Sequence, residues 1–223
     1  VKIEDGCNRF CSYCIIPYSR GRVRSKPLGE LKCELQRLSD AGFAEVVLVG
    51  INLSAYGTDI GLSICDAVEL ADRMNFRRVR LGSLEPDHIT DEVIDRLAKL
   101  PSFCPQFHIS LQSGCNNTLK AMNRHYSAEE YFELCQKLRA SFPEATITTD
   151  IMVGFPTESE EDFAENVRFA QKIGFEKVHV FPYSPREGTK AAKMPQIEKE
   201  IKEKRSHIMI EKTEEIRKIF LES

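Results

Sequence analysis

A chain of 223 residues, 42% of them hydrophobic, can bury one sizeable core, and one domain is the natural expectation. Its formal net charge of −3 argues against a general polyanion binder, because such binding needs many clustered Lys and Arg side chains. No apolar run approaches the roughly 18 residues that a spanning helix needs, and no signal peptide opens the chain. We therefore expect a cytoplasmic protein without a membrane partner, whose contacts with nucleic acid, if any, are local.

Six short runs rich in β-formers alternate with helical patterns along the chain. Alternation of this kind predicts parallel strands, because parallel neighbours need a crossover helix between them. Six units fall short of the eight of a full barrel. We predict an α/β fold, a partial (β/α)6 TIM-like barrel with outer helices, and keep a doubly wound open sheet as the alternative. The runs are VKIE, EVVLVG, RVRLGS, QFHISLQ, TITTDIMVG and KVHVFPYS, which begin at residues 1, 45, 78, 106, 146 and 177.

Apolar residues spaced three and four apart predict the helices. The first follows Pro27, carries Leu28, Leu31, Leu35 and Leu38, and ends at Gly42. Another begins after Thr90, a suitable N-cap. Further stripes run over 131–142, where Cys135 reads as a small buried hydrophobe, and over 163–173, directly before Gly174. The last helix is predicted over 196–223.

In either fold, the functional site forms at the carboxyl ends of the strands. Polar residues and glycines gather at the six places where the predicted strands end. Each place alone reads as an ordinary solvated loop, but together they outline a cavity mouth. The six segments are 7–14, 50–52, 83–85, 112–114, 150–154 and 182–184.

Three cysteines, Cys7, Cys11 and Cys14, stand in the order C-x-x-x-C-x-x-C. A closed zinc site requires four ligands, and a disulfide framework requires an even number of cysteines. Soft thiolates select zinc, copper(I) or iron–sulfur clusters, and three ligands on a four-iron cluster leave one iron open. That iron suits chelation by an amino group and a carboxylate, both of which S-adenosylmethionine carries, and Tyr13 is placed to flank its adenine.

The remaining cysteines and the histidines show no pairing that indicates a second metal site. The other five cysteines are scattered and read as reduced thiols. The five histidines have no mutual ligand spacing, and we interpret them as non-ligands. They are His88, His108, His125, His179 and His207.

Three segments, GCNRFCSYCIIPYSRGRVRS, SLQSGCNNTLKAMNR and DIMVGFPTESEEDF, resemble the radical S-adenosylmethionine superfamily, and within it the methylthiotransferases. The run RGRVRS and the segment SLQSGCN look most like the enzymes that methylthiolate C2 of N6-threonylcarbamoyladenosine next to the tRNA anticodon. The alternatives within the branch act on isopentenyladenosine of tRNA or on an aspartate of a ribosomal protein.

The resemblance implies a [4Fe–4S] cluster on Cys7, Cys11 and Cys14 that cleaves S-adenosylmethionine to a 5′-deoxyadenosyl radical. It also implies a second cluster in an amino-terminal domain, which helps to supply the sulfur. The expected partners are the tRNA anticodon loop and an electron donor such as flavodoxin or ferredoxin, and we expect a monomer.

By the same resemblance, several residues are expected to contact the cosubstrate. Gly50 and Asn52 are expected at its methionine end, and Gln112, Ser113 and Arg124 at its ribose and carboxylate. Core packing is the alternative for Met152 and Val153, and a surface ion pair is the alternative for Arg124. The expected adenine contacts are Met152, Val153 and Gly154, and the further polar candidates are Ser83, Glu85 and Asp150.

The basic loop carries Arg20, Arg22 and Arg24, which we predict to be substrate-binding. They would meet phosphates or orient the carboxylate of a threonylcarbamoyl group by bidentate bonds. The alternative is a solvated loop whose cations balance the charge of a cluster.

We expect residues 1–223 to be a radical S-adenosylmethionine catalytic domain excised from a longer protein. The amino-terminal methylthiotransferase domain and the carboxy-terminal TRAM-type RNA-binding domain are absent, so we expect binding of one cluster and of S-adenosylmethionine without complete methylthiolation. Two other classes compete: a non-catalytic zinc or iron–sulfur RNA-binding module, and a redox-switch protein that uses the cysteines as a thiol pair plus a spare.

Overall fold

The computed structural model describes residues 1–222, which contain seven short strands and eight α-helices. The strands are β1 (Glu4–Asp5), β2 (Arg24–Ser25), β3 (Glu45–Leu48), β4 (Arg78–Leu81), β5 (Gln106–His108), β6 (Thr146–Val153) and β7 (Lys177–Pro182). The helices are α1 (Ile16–Arg20), α2 (Leu28–Asp40), α3 (Ile64–Asp72), α4 (Asp91–Leu97), α5 (Asn116–Ala121), α6 (Ala128–Ser141), α7 (Glu160–Ile173) and α8 (Lys199–Glu222).

The described chain divides into two compact units. The first unit comprises residues 1–8, 17–108 and 137–145. The second comprises residues 9–16, 109–136 and 146–222. Each unit contains a parallel strand pair, as the alternation of strands and helices predicts.

In the first unit, β3 and β4 pair in parallel over four residues each, with Val46 opposite Val79. The alternate side chains Val46, Leu48, Val79 and Leu81 are buried, as a strand with one face on a core requires. The structure differs from the prediction mainly at VKIE, where residues 1–3 form no regular strand. Only a single parallel bridge forms there, from Lys2 to Val49.

Instead, β1 pairs with β2 in an antiparallel ladder, Glu4 opposite Ser25 and Asp5 opposite Arg24. Gly6 and Gly21, both at positive φ, lie between the two strands. Positive φ is a conformation that glycine adopts without steric cost. The basic loop is therefore one arm of a hairpin, which the alternating pattern did not indicate.

In the second unit, β6 and β7 pair in parallel along six residues each, from Thr148 opposite Lys177 to Val153 opposite Pro182. Residues 109–112 run beside β6, where Ile109 donates its N–H to the carbonyl of Thr148 and Gln112 forms a parallel bridge. The carboxyl ends of these strands therefore meet at one edge of the unit.

The helix ends follow the predicted signals. The Thr90 Oγ1 accepts the N–H of Val93 and caps α4, and Gly174 closes α7 in the left-handed conformation. Pro27 precedes α2 as predicted. Cys135 is fully buried on α6, as predicted.

Helices α1, α3 and α5 are absent from the prediction, and the bounds of the final helix differ from it. Helix α3 was not predicted, although Ser63 and Asp66 form a capping box at its start. The final helix begins at Lys199 rather than at Gln196, whose side-chain amide donates to the carbonyls of Ala191 and Met194. The predicted last residue of that helix, Ser223, lies outside the described residues. Within residues 1–222, no helix combines the length and the apolarity that a membrane crossing would need.

Candidate functional site

The loop 9–14 belongs to the second unit and carries two of the three motif cysteines. Cys14 donates its N–H to the carbonyl of Cys11 at 3.0 Å, so both residues belong to one tight turn. Ser12 anchors that turn, because its N–H and Oγ donate to the carbonyls of Met122 and Ala121 at 2.9 and 2.8 Å. The backbone of the turn is thereby attached to the end of α5.

A buried arginine lies against the Cys11 sulfur. Arg124 Nη1 is 3.4 Å from Cys11 Sγ and 3.4 Å from the hydroxyl oxygen of Tyr13. Its Nη2 donates to the carbonyl of Ser110 at 3.3 Å and its Nε to the Tyr126 hydroxyl at 3.0 Å. Arg124 is only 8% exposed and is therefore not a surface side chain. Sequence spacing could not reveal this, because Arg124 lies more than a hundred residues from Cys11.

Tyr126 is a residue that the sequence reasoning missed. Its hydroxyl lies 2.7 Å from the carbonyl of Ser110 and 2.8 Å from that of Leu111. It therefore donates toward the strand segment while it accepts from Arg124. The sequence shows only that Tyr126 stands two residues after Arg124. That spacing does not indicate which groups the Tyr126 hydroxyl contacts.

An apolar wall adjoins the cysteine turn. Phe155 packs edge-on against Tyr13 and against Tyr183, with ring centroids 6.4 and 5.3 Å apart. Met152 is half-buried and packs against this cluster, whereas Val153 is fully buried. Core packing therefore accounts for Val153, and its contact with a cosubstrate remains a prediction.

Gln112 holds a strained backbone conformation at the strand end. Its φ is +67°, a left-handed conformation that non-glycine residues rarely adopt. Two hydrogen bonds of 2.9 Å hold it, from its own N–H to the carbonyl of Asp150 and from the N–H of Met152 to its carbonyl. Strained residues held in this way concentrate at functional sites.

Ser113, the next residue, is fully buried, and its Oγ accepts the N–H of Cys115 at 3.2 Å. That contact gives Ser113 a structural role beside α5. Its predicted contact with a cosubstrate stays a prediction.

A second polar network, also missed, lies at the end of β6. Glu158 Oε2 accepts the N–H of Gly154 at 2.7 Å and an Arg205 Nη1 bond at 2.8 Å. Burial raises the pKa of Glu158 to about 7. A Cβ on Gly154 would lie 2.4 Å from the Cγ of Lys202, so only glycine fits there. The segment FPTES thus joins the strand end to α8.

In the first unit, Cys7 follows β1, within the connection between β1 and β2, and donates its N–H to the carbonyl of Gly21 at 3.0 Å. A Cβ on Gly6 would lie 2.0 Å from the carbonyl oxygen of Arg22. The tight approach of the two arms therefore requires glycine before Cys7.

The three predicted substrate arginines are exposed, and two of them, Arg20 and Arg24, lie near the carboxylate of Asp5. Asp5 Oδ2 lies 2.9 Å from Lys2 Nζ, 3.6 Å from Arg24 Nη2 and 3.7 Å from Arg20 Nη1. The hydrogen bond from Lys2 holds the pKa of Asp5 below its usual range. Arg24 Nη1 also donates to the carbonyls of Arg20 and Arg22 at 2.8 and 3.2 Å. Part of the loop's positive charge is thus internally balanced.

Gly50 and Asn52 surround the buried carboxylate of Glu4, which the sequence reasoning missed. Glu4 Oε2 accepts the N–H of Asn52 at 2.7 Å, and a Cβ on Gly50 would lie 2.7 Å from the same oxygen. Burial raises the pKa of Glu4, with the N–H groups of Asn52 and Ile51 acting against that rise. Glu4 Oε1 and Asn52 Oδ1 are buried and have no hydrogen-bond partner among the described residues. Orphaned buried oxygens of this kind are where a ligand donor would bind.

The strand-end segment 83–85 has a simpler arrangement. Ser83 is exposed, and Glu85 donates its N–H to Ser54 Oγ at 2.7 Å. The cosubstrate roles of Ser83 and Glu85 remain predictions.

The residues of the second unit fit an iron–sulfur ligand role. None of the eight cysteines forms a disulfide, and in residues 1–222 no three His, Cys, Asp or Glu side chains are grouped to hold a metal ion. Cys11 and Cys14 share one turn, Cys11 is buried, and Arg124 is positioned to donate to its sulfur. Iron–sulfur clusters are held by thiolate ligands. Hydrogen bonds to sulfur and low solvent exposure set their reduction potential.

Curated proteins similar to this chain are tRNA-modifying enzymes. The chain is 44% identical over 192 residues to a threonylcarbamoyladenosine tRNA methylthiotransferase of Chlamydia pneumoniae, covering 86% of this chain and 45% of that protein. It is 41% identical over 220 residues to a tRNA-2-methylthio-N(6)-dimethylallyladenosine synthase of Caldicellulosiruptor saccharolyticus, covering 97% and 47%. The chain thus spans about half the length of these relatives. Their names agree with the predicted enzyme class, a transferase.

Solved structures share the fold at low sequence identity. A radical S-adenosylmethionine methyltransferase of Kitasatospora setae aligns with a TM-score of 0.71 and 16% identity, over 86% of this chain and 38% of that one. Coproporphyrinogen III oxidase of Escherichia coli aligns with a TM-score of 0.68 and 15% identity, over 95% and 51%. These likenesses confirm the predicted α/β fold class of the radical S-adenosylmethionine type.

The family model described as the Radical SAM superfamily matches residues 1–170, which include all three motif cysteines. That superfamily uses a [4Fe–4S] cluster and S-adenosylmethionine, so the cofactor prediction is confirmed for the family. The match covers well over half of the sequence. The chain therefore belongs to the Radical SAM superfamily.

Proposed function

We propose that this chain is the catalytic domain of a tRNA methylthiotransferase that modifies C2 of N6-threonylcarbamoyladenosine next to the anticodon. The observation that carries the proposal is the motif Cys7, Cys11, Tyr13, Cys14 in a chain 44% identical to a relative named for that activity.

In the proposed site, Cys7, Cys11 and Cys14 hold the [4Fe–4S] cluster. When bound, the cluster and S-adenosylmethionine supply a one-electron cleavage of a carbon–sulfur bond. The chain's own residues position and shield these groups. Tyr13 and Phe155 provide an apolar surface beside the cysteine turn, which limits the access of solvent to a reactive radical.

Cosubstrate binding is proposed for the strand-end residues named above. Asn52 has a buried side-chain oxygen with no hydrogen-bond partner in the described chain, which suits it to accept a bond from an amino group. Gln112 is held at a strand end with a strained backbone, so its position is set before any ligand binds.

The basic loop is the proposed RNA contact. Arg20, Arg22 and Arg24 are exposed, and a guanidinium can bind a phosphate or the threonylcarbamoyl carboxylate with two parallel hydrogen bonds. We propose an electron donor such as flavodoxin or ferredoxin, a monomeric state, and further domains outside these 223 residues that supply the second cluster and an RNA-binding module.

A second candidate substrate is N6-dimethylallyladenosine of tRNA. The relative named for it is 41% identical over 97% of this chain, so sequence identity does not separate the two substrates strongly. The threonylcarbamoyl group carries a carboxylate, for which the loop arginines are suited, whereas the dimethylallyl group is apolar. That charge difference favours the first candidate.

Metal analysis tests the cluster proposal. The chain purified anaerobically and reconstituted with iron and sulfide should hold about four irons and show a broad visible absorbance. Cys11→Ala should lose both, whereas Cys33→Ala, an exposed cysteine on α2, should keep both. Stoichiometric zinc without colour would instead support a non-catalytic metal module, and neither metal would support a thiol switch.

Nucleoside analysis tests the substrate. Deletion of the gene in its host should remove 2-methylthio-N6-threonylcarbamoyladenosine from total tRNA, as measured by mass spectrometry. Loss of the methylthiolated dimethylallyl nucleoside alone would favour the second candidate. Residues 1–223 by themselves should not methylthiolate tRNA, and methylthiolated product from them would contradict the need for further domains.

A further inference from the structure

We infer that Arg124 is a positioning residue that sets the reduction potential of the cluster through its hydrogen bond to the Cys11 sulfur. The inference rests on the proposed function only in requiring that Cys11 be a cluster ligand. It differs from the sequence-based expectation, which assigned Arg124 to the ribose and carboxylate of the cosubstrate.

The geometry places the guanidinium at the sulfur and not in solvent. Arg124 is 8% exposed, as is Cys11, and Nη1 lies 3.4 Å from Sγ. A hydrogen bond from a charged donor is stronger than one between neutral groups, and limited solvent strengthens it further. A metal-bound thiolate would give this buried cation an anionic acceptor.

The guanidinium is held in place from its other edges. Nε donates to the Tyr126 hydroxyl at 3.0 Å and Nη2 to the Ser110 carbonyl at 3.3 Å. Tyr126 is itself fixed, because its hydroxyl lies 2.7 Å from the same carbonyl. The Arg124 Cζ also lies 5.0 Å from the Tyr126 ring centroid. Because the planar guanidinium is held at Nε and Nη2, the position of Nη1 is fixed near Cys11 Sγ and the Tyr13 hydroxyl. A lysine ammonium could not be held in this way.

The direction of the effect follows from charge. Reduction adds one negative charge to a cluster, and a hydrogen-bond donor at a ligand sulfur stabilises the more negative state. Arg124 therefore raises the reduction potential and makes the first electron easier to accept. Removing it should move the one-electron equilibrium about tenfold toward the oxidised form, a potential about 59 mV more negative.

The test is a redox titration of the reconstituted 223-residue chain without S-adenosylmethionine, followed by electron paramagnetic resonance. Arg124→Gln should show the full shift. Arg124→Lys, which keeps the charge but loses the fork, should shift less. Tyr126→Phe, which removes the acceptor of Nε, should shift in the same direction. Arg168→Gln removes an exposed arginine on α7 of the same unit and should leave the potential unchanged.

Circular dichroism and thermal melting of each apo variant show whether a substitution has changed folding. An effect on the reduction potential can then be told apart from misfolding. Wild-type chain that takes up no iron would contradict the proposed function itself. Wild-type chain that loads, with Arg124→Gln and Arg124→Lys at the wild-type potential, would overturn the inference and leave the proposed function standing. If Arg124→Gln does not retain a cluster, the reduction potentials of Arg124→Lys and Tyr126→Phe provide the test. Wild-type potentials in both variants would overturn the inference.

Discussion

Arg205 on α8 donates from one nitrogen, Nη1, to two oxygens of Glu158, the carboxylate Oε2 at 2.8 Å and the backbone carbonyl at 2.9 Å. The same carboxylate accepts the N–H of Gly154, so one buried glutamate joins a strand end to a helix that follows much later in the sequence. Both side chains are almost completely buried. The stability of the second unit should therefore depend on this pair.

The first prediction concerns pH. Burial raises the pKa of Glu158 from 4.5 to about 7, so the folded protein binds this proton more tightly than the unfolded chain does. Its contribution to stability is then fully present below pH 4.5 and is lost as the pH rises through about 7. Relative to Glu158→Gln, the wild type should lose on the order of 3 kcal/mol of unfolding free energy as the pH rises from 4.5 through about 7.

Urea unfolding of both proteins across that window measures the difference, because the titrating groups that they share cancel. A wild-type advantage that grows with pH would show that Arg205 outweighs burial and would contradict the raised pKa.

The second prediction concerns Arg205, the cationic partner of Glu158. Arg205→Gln leaves the Glu158 carboxylate buried without its cationic partner, and should lower the free energy of unfolding by about 3 kcal/mol. Arg168→Gln, an exposed arginine on α7, should cost below about 0.5 kcal/mol. Denaturant titration well above pH 7, where Glu158 is ionised in the wild type, compares them. Equal effects of the two substitutions would mean that the buried pair contributes nothing specific.

The third prediction concerns Gly154. Its φ is +68°, and a Cβ at this position would lie only 2.4 Å from Lys202 Cγ, which leaves no room for a side chain. Gly154→Ala should cost at least about 2 kcal/mol, because strain and overpacking add. Gly174→Ala has a similar φ of +67° with no atom within 4 Å of the Cβ, so it should cost only about 1 kcal/mol.

Thermal melts of the two alanine variants provide the measurement. If Gly174→Ala were the more damaging, the close contact at Lys202 would not be what requires glycine at position 154.

The fourth prediction concerns the turn before Cys7. Gly6→Ala would drive a Cβ to within 2.0 Å of the Arg22 carbonyl oxygen and should open the β1–β2 hairpin. Because Cys7 is a proposed cluster ligand, the variant should retain less than half as much iron after reconstitution and desalting. Gly61→Ala, at φ +72° with open space around the Cβ, is the matched control and should retain iron normally. Normal iron content in Gly6→Ala would show that the hairpin does not position Cys7.

Much of the local structure could be predicted because its causes are local. Helix α2 after Pro27, the Thr90 cap and the Gly174 end depend on residues within a few positions of each other. The parallel pairing of β3 with β4 follows from strand–helix alternation. The hairpin of β1 and β2 was missed because it depends on a close approach of Gly6 to Arg22, which no apolar period records.

By itself, the sequence determined the three-thiolate motif, the α/β class and the family, since these depend on residue types, spacing and similarity. Only the tertiary structure decided what Arg124, Glu4 and Glu158 contact, and that Val153 is core. The physical reason is burial: a charged side chain is removed from water only where partners distant in sequence meet it, and a linear pattern does not contain those partners.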